Sequence, residues 1–181
     1  MSSRNQYKIY FISGVSGVGK TSTLNHLKEK LSSSRYDIRD LDERGVPNGG
    51  GLAWLNNETR HWLDIAKVNA SNGKNTIVCG FANPELFQKV YKKDEDIPAQ
   101  LILLHASGKS LEDRLRGRHT TPKSIKEIER ASGLPIEQFI KSNVEFSPQL
   151  FEIFQKNGYP IVETDNKTPS EVTDIIVKLI A

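Results

Sequence analysis

A chain of 181 residues is long enough for one compact core and short for two, and 36% hydrophobic with 26% charged residues is ordinary globular composition. Lysine and arginine number 25 against 22 acids, a formal +3 too small to make nucleic acid the main partner. The single cysteine, Cys79, excludes an internal disulfide and a thiolate metal cluster within one chain; with no apolar run near the ~20 residues of a membrane span and no signal-peptide core in residues 1–6, the expected location is the cytoplasm.

Short apolar runs alternate with helical patterns, as in βα units around a mostly parallel sheet. Tyr7 to Ser13 reads as the first strand, and Leu24, Leu27 and Leu31 recur at helical spacing after Lys20. A weaker strand runs from Tyr36 to Leu41, followed by a loop from Arg44 to Gly51 that holds a proline and consecutive glycines. Leu55, Trp62 and Ala66 then share one face of a helix from about Leu52 to Ala70. Asn75 to Gly80 is a buried-strand pattern, and Asn83 with Pro84 caps the next helix. Leu101 to Ala106 is a further strand, and Ser110 with Asp113 forms a capping pattern ahead of an arginine-rich helix. From His119 to Asn157 three proline-punctuated helical pieces follow without a strand, which reads as a helical lid within a single 1–181 domain. A last strand in "YPIVETD" precedes a closing helix capped by Thr168, Pro169 and Glu171, with Val172, Ile176 and Leu179 facing inward.

Gly14, Gly19, Lys20 and Thr21 satisfy G-x-x-x-x-G-K-[ST] between a predicted strand and a predicted helix, the context this phosphate-binding motif requires. Glycines let backbone N–H groups turn toward phosphate oxygens, and the helix start adds unpaired amides and the positive end of its dipole. The cradle therefore comprises Gly14, Val15, Ser16, Gly17, Val18, Gly19, Lys20, Thr21 and Ser22; Lys20 supplies a cation for the β- and γ-phosphates and the Thr21 hydroxyl a ligand for Mg²⁺.

With this cradle, the order of elements and the arginine-bearing helix, the chain resembles the P-loop small-molecule kinases, the group of adenylate, shikimate and gluconate kinases. The resemblance in element order covers nearly the whole chain. It implies a three-layer α/β/α P-loop NTPase fold with about five mostly parallel strands and a helical lid, with ATP and Mg²⁺ as cofactors.

Neither "TIVCG" nor "LILLHAS" ends in the acid that many P-loop proteins use for magnesium, which leaves Asp40 and Asp42. Two positions apart on an extended segment, these carboxylates share one face. Shikimate kinases carry a similar D-x-D, and by that resemblance Asp40 serves the metal side while Asp42 orients or deprotonates a hydroxyl; the bland alternative is a solvated loop. Arg114 and Arg118, four apart on one helical face, resemble the lid-entry arginines that approach ATP phosphates, while Arg116 faces elsewhere. Gly117 between them reads as a hinge.

Arg60 lies where related kinases place an acceptor-binding arginine. Gly50 and Gly51 either let backbone approach the acceptor or only loosen a loop, and Trp54 and Trp62 either wall that site or belong to the core. Thr164 and Asp165 follow the last strand, where related kinases lay a loop against adenine; equally, they form a turn and helix cap. His61 and His119 lack partners at metal-ligand spacing.

The leading expectation is an ATP-dependent phosphotransferase acting on a small metabolite, with Lys20, Asp42, Arg114 and Arg118 as catalytic residues. The acceptor is a hydroxylated acid, a sugar, a nucleoside or a nucleotide: Asp42 favours a hydroxyl, whereas a nucleotide phosphate would need cations such as Arg39, Arg44 and Arg60. The competing class is a regulatory or nucleic-acid-associated P-loop NTPase, supported by basic segments such as "KVYKK". A small GTPase is set aside because the chain contains no N-K-x-D segment.

Overall fold

The run Ile9–Ser13 is buried at every position, as an interior strand covered on both faces requires, and in the computed structural model it forms β1 at the centre of a five-stranded sheet. The structure describes residues 7–93 and 97–181; residues 1–6, on which the reading against a signal peptide rests, lie outside it. β2 (Tyr36–Asp40), β3 (Asn75–Cys79), β4 (Ala99–His105) and β5 (Ile161–Glu163) complete the sheet in the order β2-β3-β1-β4-β5, all parallel.

Parallel neighbours need long crossovers, and helices supply them. These are α1 (Lys20–Lys30), α2 (Leu52–Ser71), α3 (Pro84–Val90), α4 (Gly108–Arg118), α5 (Pro122–Ser132), α6 (Ile136–Lys156) and α7 (Pro169–Ile180). α1 packs on α7, while α2, α3 and α6 touch in series and α6 also meets α4 and α5. The result is the expected three-layer α/β/α arrangement. β1 lies between β3 and β4, so its C-terminal end is a switch point where the flanking connections diverge and leave a crevice.

Four local expectations need correction. α4 begins one turn earlier than the Ser110 pattern suggests: Ser107 is the cap, and its Oγ accepts from the Ser110 N–H at 3.3 Å. α4 runs through Gly117 to Arg118, and a Cβ there would meet nothing, so no break or close approach demands that glycine. The segment from His119 to Asn157 holds two helices, because α6 continues through Pro148. Its two halves are pinned separately: Phe139 and Ile140 join a small cluster with Leu115, while Leu150 and Phe154 enter the main core. Tertiary packing on both sides outweighs the hydrogen bond that the proline removes. In α7 the buried positions include Val172, Ile176 and Ile180, a strict four-residue step that leaves Leu179 exposed at 37%.

Candidate active site

The turn after β1 is shaped by what its glycines make room for. A Cβ on Gly14 would lie 2.7 Å from the Leu104 carbonyl oxygen, so only glycine lets the chain leave β1 this close to β4. Gly19, at φ 102°, precedes α1 and leaves no side chain in front of the first-turn amides. Lys20 Nζ spans the turn, donating to the carbonyls of Gly14 at 2.8 Å and Val15 at 2.9 Å. Burial pushes this ammonium down to about 8; Asp42 and Asp40 oppose the shift and Arg118 adds to it.

Two clefts open at opposite ends of this turn. The first, about 290 Å³, is lined by Gly17, Gly19, Arg114, Arg118, Thr164 and Lys167 among others. Arg114 is a clasp as well as a wall: its guanidinium donates to the Gly17 carbonyl at 3.4 Å, to Thr164 Oγ1 at 3.0 Å and to the Thr164 carbonyl at 3.2 Å. It thereby ties the turn to the loop after β5. Arg118, one helical turn on, lines the same cleft and is exposed. Arg116 does face elsewhere, gripping Glu137 of α6 in a two-pronged pair at 2.8 and 2.9 Å. Thr164 lines the cleft, whereas Asp165 does not: its carboxylate accepts from the Ser107 N–H at 3.0 Å and sits 3.6 Å from Arg114, holding the loop to the start of α4. Lys167 is a cation at this cleft that sequence reasoning missed, because it stands outside any motif.

The second cleft, about 350 Å³, is lined by Val15, Ser16, Lys20, Asp42, Phe81, Ser142, Asn143 and Phe146 among others. Strand ends and α6 build it together. Ser13 Oγ donates to the Ala82 carbonyl at 2.7 Å and accepts from the Ala82 N–H at 2.8 Å, which fixes the segment carrying Phe81 against the end of β1. From α6, Asn143 Oδ1 accepts from the Ser16 N–H at 2.9 Å, while its Nδ2 donates to the Phe139 carbonyl at 2.8 Å. A side-chain oxygen thus occupies one of the cradle amides. Phe81, Ser142, Asn143 and Phe146 escaped the sequence reading because no local pattern marks them.

Asp40 and Asp42 do not share a simple extended face, because β2 ends at Asp40 and a turn follows. Asp40 Oδ1 accepts from the Asp42 N–H at 3.0 Å, and between them Leu41 plugs into the core at 1% exposure. Leu41 fits only because a glycine follows β3: a Cβ on Gly80 would come 2.1 Å from Leu41 Cβ. Trp62 Nε1 donates to the Leu41 carbonyl at 3.5 Å from the core side. Burial raises the pKa of Asp42, Asp40 and Glu58 add to the rise, and Lys20 opposes it. Glu58, buried on α2 at 8% exposure, is an acid that sequence reasoning overlooked.

No family model and no curated protein sequence matches the chain. Solved structures do. The chain is similar to shikimate kinase from Acinetobacter baumannii in complex with shikimate, at 14% identity over 97% of this chain and 94% of that one, with a TM-score of 0.55. It is also similar to thymidylate kinase from Ehrlichia chaffeensis, at 12% identity over 97% of this chain and 100% of that one, with a TM-score of 0.52. The chain has the P-loop kinase fold.

Within the P-loop kinase fold, three residues expected at the acceptor stand apart from the second cleft. Arg60 donates to the Val90 carbonyl at 3.2 Å and to Asp64 at 3.3 Å, joining α2 to the end of α3. Gly50 and Gly51 do not line the cleft, and their loop leans on α5 instead: the Gly49 N–H donates to the Arg130 carbonyl at 3.3 Å and Arg130 donates to Asn48 Oδ1 at 3.1 Å. Trp62 is core at 3% exposure, and Trp54 donates to the Gly45 carbonyl at 3.2 Å. His105, at the end of β4, faces Glu163 at 2.9 Å, and burial pushes the Cys79 thiol up to about 12, as an inert core thiol should be.

Among the described residues no three His, Cys, Asp or Glu side chains converge as a metal cage. Mg²⁺ bound beside phosphates takes most of its oxygens from phosphate and water and only one or two from protein. The Thr21 hydroxyl and the Asp40 carboxylate are hard oxygen donors of the right kind. Among the described residues no helix is long and apolar enough to cross a membrane.

Proposed function

We propose that the chain is an ATP-dependent phosphotransferase that moves the γ-phosphoryl group to a hydroxyl of a small molecule. The observation that carries this reading is the glycine-rich turn lining two clefts, one walled by Arg114 and Arg118 and the other holding Lys20 and Asp42. ATP occupies the first cleft, its phosphates on the cradle amides and its base toward Thr164 and Lys167. Mg²⁺, held at Thr21 and Asp40, supplies charge neutralisation on the phosphates when bound.

The acceptor hydroxyl sits beside Asp42, which orients it and takes its proton as the new O–P bond forms and the bond between the γ-phosphorus and the bridging oxygen breaks, releasing ADP. A raised carboxylate pKa suits that task, since a base works best when its pKa approaches the working pH. Lys20 and Arg118 balance the charge that spreads over the transferring group. The lid is α5 with the first half of α6, because Leu150 and Phe154 anchor the second half in the main core; its closure excludes water, the competing acceptor. The lone free thiol, Cys79, supports a cytoplasmic setting.

ATP consumption measured against a panel of hydroxylated metabolites tests the reading. An acceptor should raise it above the no-acceptor background, and Lys20→Ala should lower the stimulated rate roughly 10³-fold or more. Stimulation by DNA or RNA alone would transfer the chain to the regulatory NTPase class.

A further inference from the structure

We infer that the acceptor is not an anion: the second cleft is built for an uncharged hydroxyl compound that presents a flat apolar face. The inference rests on the phosphotransferase reading and names the substrate class of its acceptor site. Three observations carry it.

The first is the shortage of cations. An anionic acceptor, whether a carboxylic acid or a nucleotide phosphate, needs positive or donor groups beyond those that hold ATP. Among the described residues that line the cleft, only Lys20 is cationic, and it belongs to the phosphate cradle. The nearby arginines are committed elsewhere. Arg39 pairs with Asp37 at 2.6 Å and Glu43 at 3.1 Å, Arg44 lies 3.6 Å from Glu58, and Arg60 pairs with Asp64 at 3.3 Å.

The second is the sign of the field. Asp42 is the acid that lines the cleft, and the ammonium of Lys20 in the same lining is turned to the carbonyls of Gly14 and Val15. Placing another negative charge here juxtaposes like charges in a concave site, where screening is weak. The third is the apolar wall. Phe81 and Phe146, half-buried with ring centroids 6.1 Å apart and tilted by 44°, face each other across elements that meet only in the fold. Aromatic faces on an otherwise small polar cleft bind ring-like or flat apolar surfaces, while Ser142 and Asn143 offer polar groups beside them.

Matched probes that differ in charge test this without depending on turnover. Thymidine is compared with thymidine 5′-monophosphate, and benzyl alcohol with 4-(hydroxymethyl)benzoate, by calorimetry on the full chain with ADP and Mg²⁺ present. In each pair the uncharged member should bind at least about tenfold more tightly, because like-charge juxtaposition costs the anion that much or more. Ser142→Arg, a substitution at an exposed position lining the cleft, should reverse the order; a thermal melt checks that this variant folds. Phe146→Leu should weaken binding of the uncharged members severalfold, an effect separate from any change in charge. Tighter or equal binding of the anions, or no binding by either uncharged probe, overturns the inference. The phosphotransferase reading fails separately, if Lys20→Ala leaves ATP consumption unchanged.

Discussion

The two clefts share one glycine-rich turn and differ in almost everything else. The first is walled by Gly17, Gly19, Arg114, Arg118 and Lys167 among others; the second by Phe81, Phe146, three small polar side chains, Lys20 and Asp42. On the proposed reading a polyphosphate demands cations and amides, and the first cleft gathers them from the glycine-rich turn, α4 and the loop after β5. On the proposed reading an acceptor that brings no charge demands shape, and the second is assembled from the glycine-rich turn, the turn after β2, the segment after β3, and α6. Lys20, which lines the second cleft, feels both: burial lowers its pKa, Asp42 and Asp40 oppose the shift, and Arg118 of the first cleft adds to it.

Separating the two arginines breaks the comparison most sharply. Arg118, exposed in the nucleotide cleft, should act on the transferring group, so Arg118→Ala is expected to reduce kcat by roughly 10² to 10³ with little change in the KM for ATP. Arg114, already bonded to Gly17 and Thr164, should behave differently: Arg114→Ala raises the KM for ATP and lowers the melting temperature. Steady-state kinetics of the pair decides this, and identical profiles would erase the distinction.

A smaller effect tests what shapes the acceptor side. Gly80→Ala forces a methyl against Leu41 and should destabilise the fold by about 1–3 kcal/mol, the usual range for overpacking. Because Leu41 sits between Asp40 and Asp42, the surviving folded protein should lose acceptor turnover while keeping ADP affinity. Denaturant titration and ADP calorimetry on the same sample measure both.

The smallest effect is in the pH profile. In the nucleotide-free protein Lys20 loses its charge as pH rises through about 8, so kcat/KM for ATP should fall roughly tenfold per unit above that point. Asp42 sets the other limb: with its pKa raised, the rate should fall on acidification at a higher pH than an ordinary aspartate would set. Linkage gives Lys20 an opposite sign in stability. A lysine whose folded pKa lies below its unfolded value binds fewer protons folded, so stability rises with pH between about 8 and the ordinary lysine range. Melting curves across that window check the sign, and Lys20→Met should remove the slope.

Much of the fold is legible along the chain because β1 and β4 are nearly unbroken apolar runs and the helices carry periodic stripes or caps such as Asn83 and Thr168. Where reading failed, a distant contact overrode a local sign. Pro148 does not break α6, because each half of that helix is held by a different cluster, and Leu179 yields its inward place to Ile180 because α7 keeps a four-residue step. Arg60 looked available because nothing local shows the Val90 carbonyl that it reaches at the end of α3.

The phosphate turn was determined by sequence alone. Its glycines, lysine and threonine are neighbours along the chain, and short-range backbone geometry suffices to point amides and an ammonium at one place. The same adjacency makes Asp40 and Asp42 visible as a pair. Only the tertiary structure decided which face that pair serves. Phe81, Ser142, Asn143 and Phe146 come to line one cleft with Asp42 through parallel crossovers and the packing of α6, and such proximity between distant segments leaves no period or motif in the chain.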